Sequence, residues 1–273
     1  MAEGARLGTA LGAVGLGKSS WFYRPRPRAP RPLQPELVRM LRTLKGYELC
    51  YGYRKVRAWL RRRGMAVNGK CLLRHLQALR MTQPRKRKGR PYASYPQMRP
   101  TAPNTYWEAD TTGVSTGEGL LWACVVVDPA VGSLPVAGLM HTRCRAIEAS
   151  AVLEAAVAAA FPRDGRVPEG HQLILRVDRG SQFVAFSFRQ TAEALGVTLQ
   201  YCGVQCPNEK PFVESFFSRY KVEEVYRSEY LTQQEGKVGW EKWTRWYRTR
   251  RLHSRLGYRP PMEVQRTFAQ ATA

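Results

Sequence analysis

Residues 120–128 read Leu120-Leu-Trp-Ala-Cys-Val-Val-Val-Asp128, a nearly unbroken apolar run rich in β-branched side chains. Such a run suits a strand that is covered on both faces, which places it at the centre of a sheet. Working outward, Tyr106–Val114 and Leu134–His141 also read as strands, so three consecutive strands are expected. Arg145–Phe161 follows, rich in alanine with Ile147, Val152, Ala155 and Ala159, and reads as a helix. Gln172–Val177 predicts a fourth strand, Phe183–Leu195 a second helix and Val197–Tyr201 a short fifth strand. Glu209–Tyr226 and Thr232–Arg248 predict further helices. The order βββαβαβα describes an α/β domain, a mixed sheet flanked by helices.

The part before the sheet differs in charge. The chain has 273 residues with 44 Lys+Arg, 21 Asp+Glu and a net charge of +23. Residues 1–100 hold 24 of those bases and three acids, Glu3, Glu36 and Glu48, so nearly all the excess lies at the front. A basic module on a nearly neutral body points to a polyanionic partner, and nucleic acid fits best. Residues 1–33 end in Tyr23-Arg-Pro-Arg-Pro-Arg-Ala-Pro-Arg-Pro32, where recurring proline forbids a helix and predicts an extended basic arm. Leu37, Met40, Leu41 and Leu44 start a helical period after Pro35. Tyr53–Arg63 puts Val56, Trp59 and Leu60 on one helical face, and Gly64 ends it. Asn68 is placed to cap a third helix with Leu72, Leu76 and Leu79 on one face. Three short helices over 34–82 with basic outer faces form a helix-turn-helix pattern, an all-α DNA-binding domain. Its candidate DNA contacts are Arg54, Lys55, Arg57, Lys70 and Arg74. The basic, Pro-rich stretch 83–104, containing Arg85, Lys86, Arg87 and Lys88, reads as a linker that also lies along DNA. The catalytic part is expected over 105–265, with 266–273 a tail.

Three carboxylates stand out by position: Asp110 in the first strand, Asp178 at the end of the fourth, and Glu214 in the helix after the fifth. In α/β sheets functional groups gather near strand ends. Crowded carboxylates repel unless a cation neutralises them, and hard oxygen ligands favour Mg²⁺ or Mn²⁺. Two such ions, roughly 3.5–4 Å apart, activate an attacking oxygen and stabilise the leaving oxygen of a phosphodiester. Singly, each acid has a plainer reading as a strand, turn or helix-surface residue. Glu108 shares the face of Asp110 by the period of two.

The sequence resembles bacterial insertion-sequence transposases of the retroviral-integrase superfamily, in particular the second-frame product of two-frame elements. The resemblance runs over about residues 8–265. It rests on Tyr51-Gly-Tyr-Arg-Lys-Val56, Trp107-Glu-Ala-Asp-Thr-Thr112, Val177-Asp-Arg-Gly-Ser-Gln-Phe183, Glu214-Ser-Phe-Phe217 with Lys221, and His253-Ser-Arg-Leu-Gly-Tyr-Arg-Pro-Pro261. It implies a ribonuclease-H-like core with Asp110, Asp178 and Glu214 as a metal-binding DDE triad, holding two Mg²⁺ or Mn²⁺ ions. Lys221, two turns after Glu214, is similar to a basic residue that contacts DNA near the site. The implied activity is cleavage and strand transfer at element ends, by in-line attack of water and then a 3′-hydroxyl. Implied partners are terminal inverted repeats, target DNA, further copies of the chain on paired ends and a first-frame polypeptide, in the bacterial cytoplasm at the nucleoid. Asn208-Glu-Lys-Pro-Phe-Val213 departs from the Tyr-Asp-Asn-Ala-like segment such transposases often carry. Pro211 is tolerated in a helix's first turn, so the helix is expected to survive.

Other readings fall away. No apolar run approaches the roughly 18 residues of a membrane span. Six cysteines and four histidines show no zinc or disulfide spacing, which predicts a reduced protein. Gly12-Ala-Val-Gly-Leu-Gly-Lys-Ser19 formally matches a phosphate-binding loop but lacks the strand before and helix after it. Trp240, Trp243, Trp246 and Tyr247 suit either base stacking or, more simply, a helix packed on the core. Two rivals share the motifs: a DNA-binding protein that has lost catalysis, and a nuclease that cuts without joining.

Overall fold

The computed structural model describes residues 7–24, 31–84, 100–132, 134–203 and 210–272. The chain divides into two compact units, Met1–Leu41 and Arg42–Ala273.

The first unit contains α1 (Leu7–Ala13), α2 (Lys18–Trp21) and α3 (Pro35–Leu41). The expected extended arm is thereby corrected at its front, because Leu7–Trp21 lies ahead of the prolines and is free to turn helical. Residues 25–30, most of the Pro-Arg repeat, lie outside the described residues. Lys18 opens a four-residue helix, and among the described residues no strand precedes it, so the Gly12–Ser19 match lacks the strand–loop–helix setting of a nucleotide loop there.

The second unit opens with a 3₁₀ turn (Gly46–Cys50), then α4 (Tyr53–Arg61) and α5 (Gly69–Ala78). Asn68 accepts a hydrogen bond from the Lys70 amide (2.9 Å), the cap expected from the sequence. Residues 46–63 are fastened to the far end of the chain. Tyr51 Oη accepts from the Leu252 amide (2.9 Å), and Arg62 pairs with Glu263 (2.7 Å). Tyr47 packs against Trp246, with ring centroids 4.9 Å apart. These ties explain why compactness divides the chain after Leu41, whereas the sequence expectation put boundaries at 34–82 and in the 83–104 linker. Residues 85–99 of that linker lie outside the described residues.

Five strands form one sheet: β1 (Tyr106–Thr116), β2 (Gly119–Asp128), β3 (Leu134–His141), β4 (Leu173–Val177) and β5 (Val197–Tyr201). Their order is β3-β2-β1-β4-β5, antiparallel across the first three and parallel from β1 through β4 to β5. The apolar β2 is paired along both edges by β1 and β3, and helices cover both its faces. Cys124 and Val126 face one core with α6 (Ala146–Ala160) and α8 (Phe186–Ala194). Ala123, Val125 and Val127 face the other with α9 (Pro211–Glu223) and α10 (Gln233–Thr249). The helix expected over 183–195 is broken at Ala185, whose extended backbone (ψ 141°) separates α7 (Ser181–Val184) from α8. Pro211 is the first residue of α9, as its missing N–H permits. Trp240, Trp243 and Tyr247 of α10 are buried in the second core, as the packing alternative had it. The chain ends in α11 (Pro261–Thr272). No helix among the described residues is long and apolar enough to cross a membrane.

Candidate active site

The parallel pairing of β1 with β4 brings two of the three expected acids together. Asp110 continues β1, and Asp178 follows the last residue of β4. Both carboxylates grip one cation, the Lys210 ammonium, which lies 3.1 Å from Asp110 Oδ1 and 3.1 Å from Asp178 Oδ2. Lys210 also donates to the Ala109 carbonyl (3.3 Å) and is buried. Burial works against its charge, yet the two aspartates outweigh it and raise its pKa. Asp110 is raised too, by burial first, with Lys210 pulling the other way. Backbone amides complete the hold: Thr111 N–H donates to Asp110 Oδ1 (2.9 Å) and Gly180 N–H to Asp178 Oδ1 (2.8 Å). Residue 180 must be small, since a Cβ there would stand 2.8 Å from Asp178 Oδ1.

The third acid arrives on α9. Period two puts Glu108 and Asp110 on the side of β1 that α9 covers. Glu108, fully buried, uses Oε2 to accept from the Phe212 (3.0 Å) and Val213 (2.9 Å) amides. Those are orphan donors of the first turn of α9, so a side chain of β1 fixes where that helix starts. Burial pushes the Glu108 carboxyl up to about 7 despite these bonds. One residue beyond Val213, Glu214 is exposed and lines a cleft of about 390 Å³ together with Asp110 and Lys221. Burial and then Asp110 raise the Glu214 carboxyl, and Lys210 opposes them. Among the described residues no three His, Cys, Asp or Glu side chains are close enough to hold a metal, so Glu214 shares the cleft without joining the aspartate pair. The donor set still suits a hard cation, because two carboxylates already converge on one positive charge.

The other expected contacts are spread out. Arg57 and Lys70 are exposed, Arg57 donating to the Val67 carbonyl (3.1 Å). Arg74 is half-buried, and Arg54 and Lys55 line a separate cavity. Arg85, Lys86, Arg87 and Lys88 lie outside the described residues. Sequence reasoning does not single out Glu108 or Lys210 as site residues. The signal for Glu108 is its shared face with Asp110. Lys210 sits in the stretch that departs from the transposase pattern.

The strand order, and acids placed on a central strand, a neighbouring strand end and the crossing helix, define a ribonuclease-H-like α/β core. The integrase core domain family matches residues 100–207 and again 195–261. A protein of Shigella flexneri named a probable transposase for insertion sequence element IS1353 is 29% identical over 95% of this chain, which spans 52% of that protein. The transposase for insertion sequence element IS629 of Shigella sonnei is 27% identical, over 80% of this chain and 74% of its own length. The catalytic domain of Mos1 mariner transposase overlays with a TM-score of 0.43 at 15% identity, covering 52% of this chain and 70% of that one. Over residues 100–261 the chain belongs to the integrase core domain family.

Proposed function

We propose that this chain cuts the ends of a mobile element and joins the freed 3′ ends to target DNA, using Asp110, Asp178 and Glu214 as its catalytic carboxylates. The observation that carries this reading is the pair of aspartates from β1 and β4 closing on a single cation beside Glu214's cleft. The three acids are the residues to hold Mg²⁺ or Mn²⁺, two ions in the full assembly. Bound there, the metal lowers the pKa of an attacking hydroxyl and stabilises the leaving oxygen. The chain's own share is positional. Glu108 anchors the start of α9, Gly180 leaves room for Asp178, and Lys221 lines the cleft where a phosphate of the scissile strand passes. The basic module over 34–82, with Arg54, Lys55, Arg57, Lys70 and Arg74, and the 83–104 segment hold the element's terminal inverted repeats. Further copies on paired ends, and a first-frame polypeptide, complete the assembly at the nucleoid.

The test uses labelled element ends with Mg²⁺ or Mn²⁺, comparing wild type with Asp178→Asn. Cleaved and joined products from wild type alone uphold the reading. Cut but never joined strands favour a nuclease. DNA binding with no metal-dependent product from either protein favours a DNA-binding protein without catalysis.

A further inference from the structure

A second cavity, of about 500 Å³, opens between the N-terminus of α4, one side of α9 and the loop 251–258. Two sequence motifs some 200 residues apart meet in it: Gly52-Tyr-Arg-Lys55 and His253-Ser-Arg255. Its wall carries Arg54, Lys55, Arg219, Arg251 and Arg255 against the single acid Glu223. That acid is already used, because Arg251 takes it in a two-pronged pair at 2.6 and 2.9 Å, both side chains buried. Arg251 also donates to His253 Nε2 (3.3 Å), and burial with the surrounding cations drives His253 well below its ordinary range, so it adds no charge. Lys55, Arg219 and Arg255 have no ion pair among the described residues. Arg219 and Arg255 are exposed, Arg255 lying over the Phe212 ring with its guanidinium 4.7 Å from the centroid. Gly52 leads into α4 with no side-chain cap, so the first amides of a nine-residue helix add donors beside the same cations.

A wall with this surplus of positive charge suits an anion. The surroundings say which kind: the cavity is walled by α4 of the basic module and by α9, the helix that carries Glu214. We infer that it binds a backbone phosphate of the DNA whose strand enters the catalytic cleft, clamping the duplex between α4 and α9. This rests on the DNA reading above. Burial, then Arg251, lowers Lys55 to about 7, which fits a lysine whose full charge is recovered when an anion arrives. The loop 251–258 is braced for the task, since Gly132 leaves room for Leu256, and a Cβ there would meet its Cδ1 at 2.7 Å.

The experiment measures DNA affinity by fluorescence anisotropy over a salt series, without divalent ions, on element-end and unrelated duplexes. Wild type is compared with the Arg219→Ala, Arg255→Ala double variant, whose truncated side chains are both exposed. An Arg163→Ala, Arg166→Ala variant removes the same charge from the exposed loop after α6. The slope of log affinity on log salt should become shallower by about 1 for each phosphate that the pocket no longer neutralises, equally on both duplexes. The control should stay at the wild-type slope, and Arg219→Lys, Arg255→Lys should restore it. A pocket variant with the wild-type slope overturns the inference while leaving the transposase reading intact. So does thermal protection by inorganic phosphate that the double variant loses while its DNA slope stays unchanged, for that result assigns the pocket to a small anion. A wild type that binds neither duplex removes the DNA reading itself.

Discussion

Lys210 sits where a divalent ion would be expected, equidistant at 3.1 Å from Asp110 and Asp178. An ammonium and a metal ion cannot share that point, so the lysine and the ion compete. Removing the charge but keeping the length, as in Lys210→Met, leaves two aspartates repelling each other. The metal-free variant should lose about 1–3 kcal/mol, less than for a fully buried pair because Asp178 reaches solvent. Titration calorimetry with Mn²⁺ should then show tighter binding to the variant than to wild type, and equal or weaker binding would refute competition. Lys55 offers a pH test away from those ligands. Arg251, Arg219, Glu223 and Cys50 surround it, and its folded value of about 7 is below the ordinary 10.5. Between those values the unfolded chain holds a proton that the native chain has released, so stability contributed here rises with pH over that window. Below pH 7 both states are protonated, and the cost of the buried charge is complete. Denaturation at a series of pH values should show this rise in wild type relative to Lys55→Met. Parallel profiles would mean the ammonium is solvated.

At the scale of elements, β1 and α9 are held by one buried carboxylate. Glu108→Ala strands the Phe212 and Val213 amides and frees the first turn of α9. Each orphaned donor costs about 1–3 kcal/mol, so a loss of about 2–6 kcal/mol is expected. Cleavage should fall with it, since Glu214 follows directly in the same turn. Glu108→Gln, which keeps one accepting oxygen, should recover most of the stability. Full activity in a destabilised Glu108→Ala would show that the first turn does not position Glu214. The same carboxylate marks how far the sequence can be read. The strands and the order of the acids are legible because periods of two and 3.6 are local, and because Asp110, Asp178 and Glu214 lie in recognisable motifs. Glu108 is legible as a face and not as a cap, because its partners are more than a hundred residues away. Lys210 is hidden for the same reason, its two carboxylates coming from separate strands. The break at Ala185 and the helices α1 and α2 depend on backbone choices that no periodicity encodes.

Across the whole sheet domain both faces are covered, and the second face is closed by aromatic rings. Trp243 is fully buried, with ring centroids 5.2 Å from Phe216, 5.1 Å from Tyr220 and 5.0 Å from Tyr247. Phe216 and Tyr220 belong to α9, so the rings of α10 press the Glu214 helix onto β1 and β2. Trp246, a turn along, is half-buried and faces Tyr47 and Tyr51 instead, joining the segment before α4 to the same helix. One stripe of spacing therefore serves two junctions, and truncation should separate them. Trp243→Ala should cost about 3–5 kcal/mol in denaturant unfolding and lower cleavage through the loosened α9. Trp246→Ala removes a partly exposed ring, so its stability loss should be smaller, about 0.5–1.5 kcal/mol for the ring pairs. Its effect should fall on DNA affinity, because residues 46–63 would no longer be held beside the basic cavity. A Trp243→Ala protein with unchanged stability and weakened single-strand binding would instead make that ring a platform for bases, and the aromatic clamp on α9 would have to be abandoned.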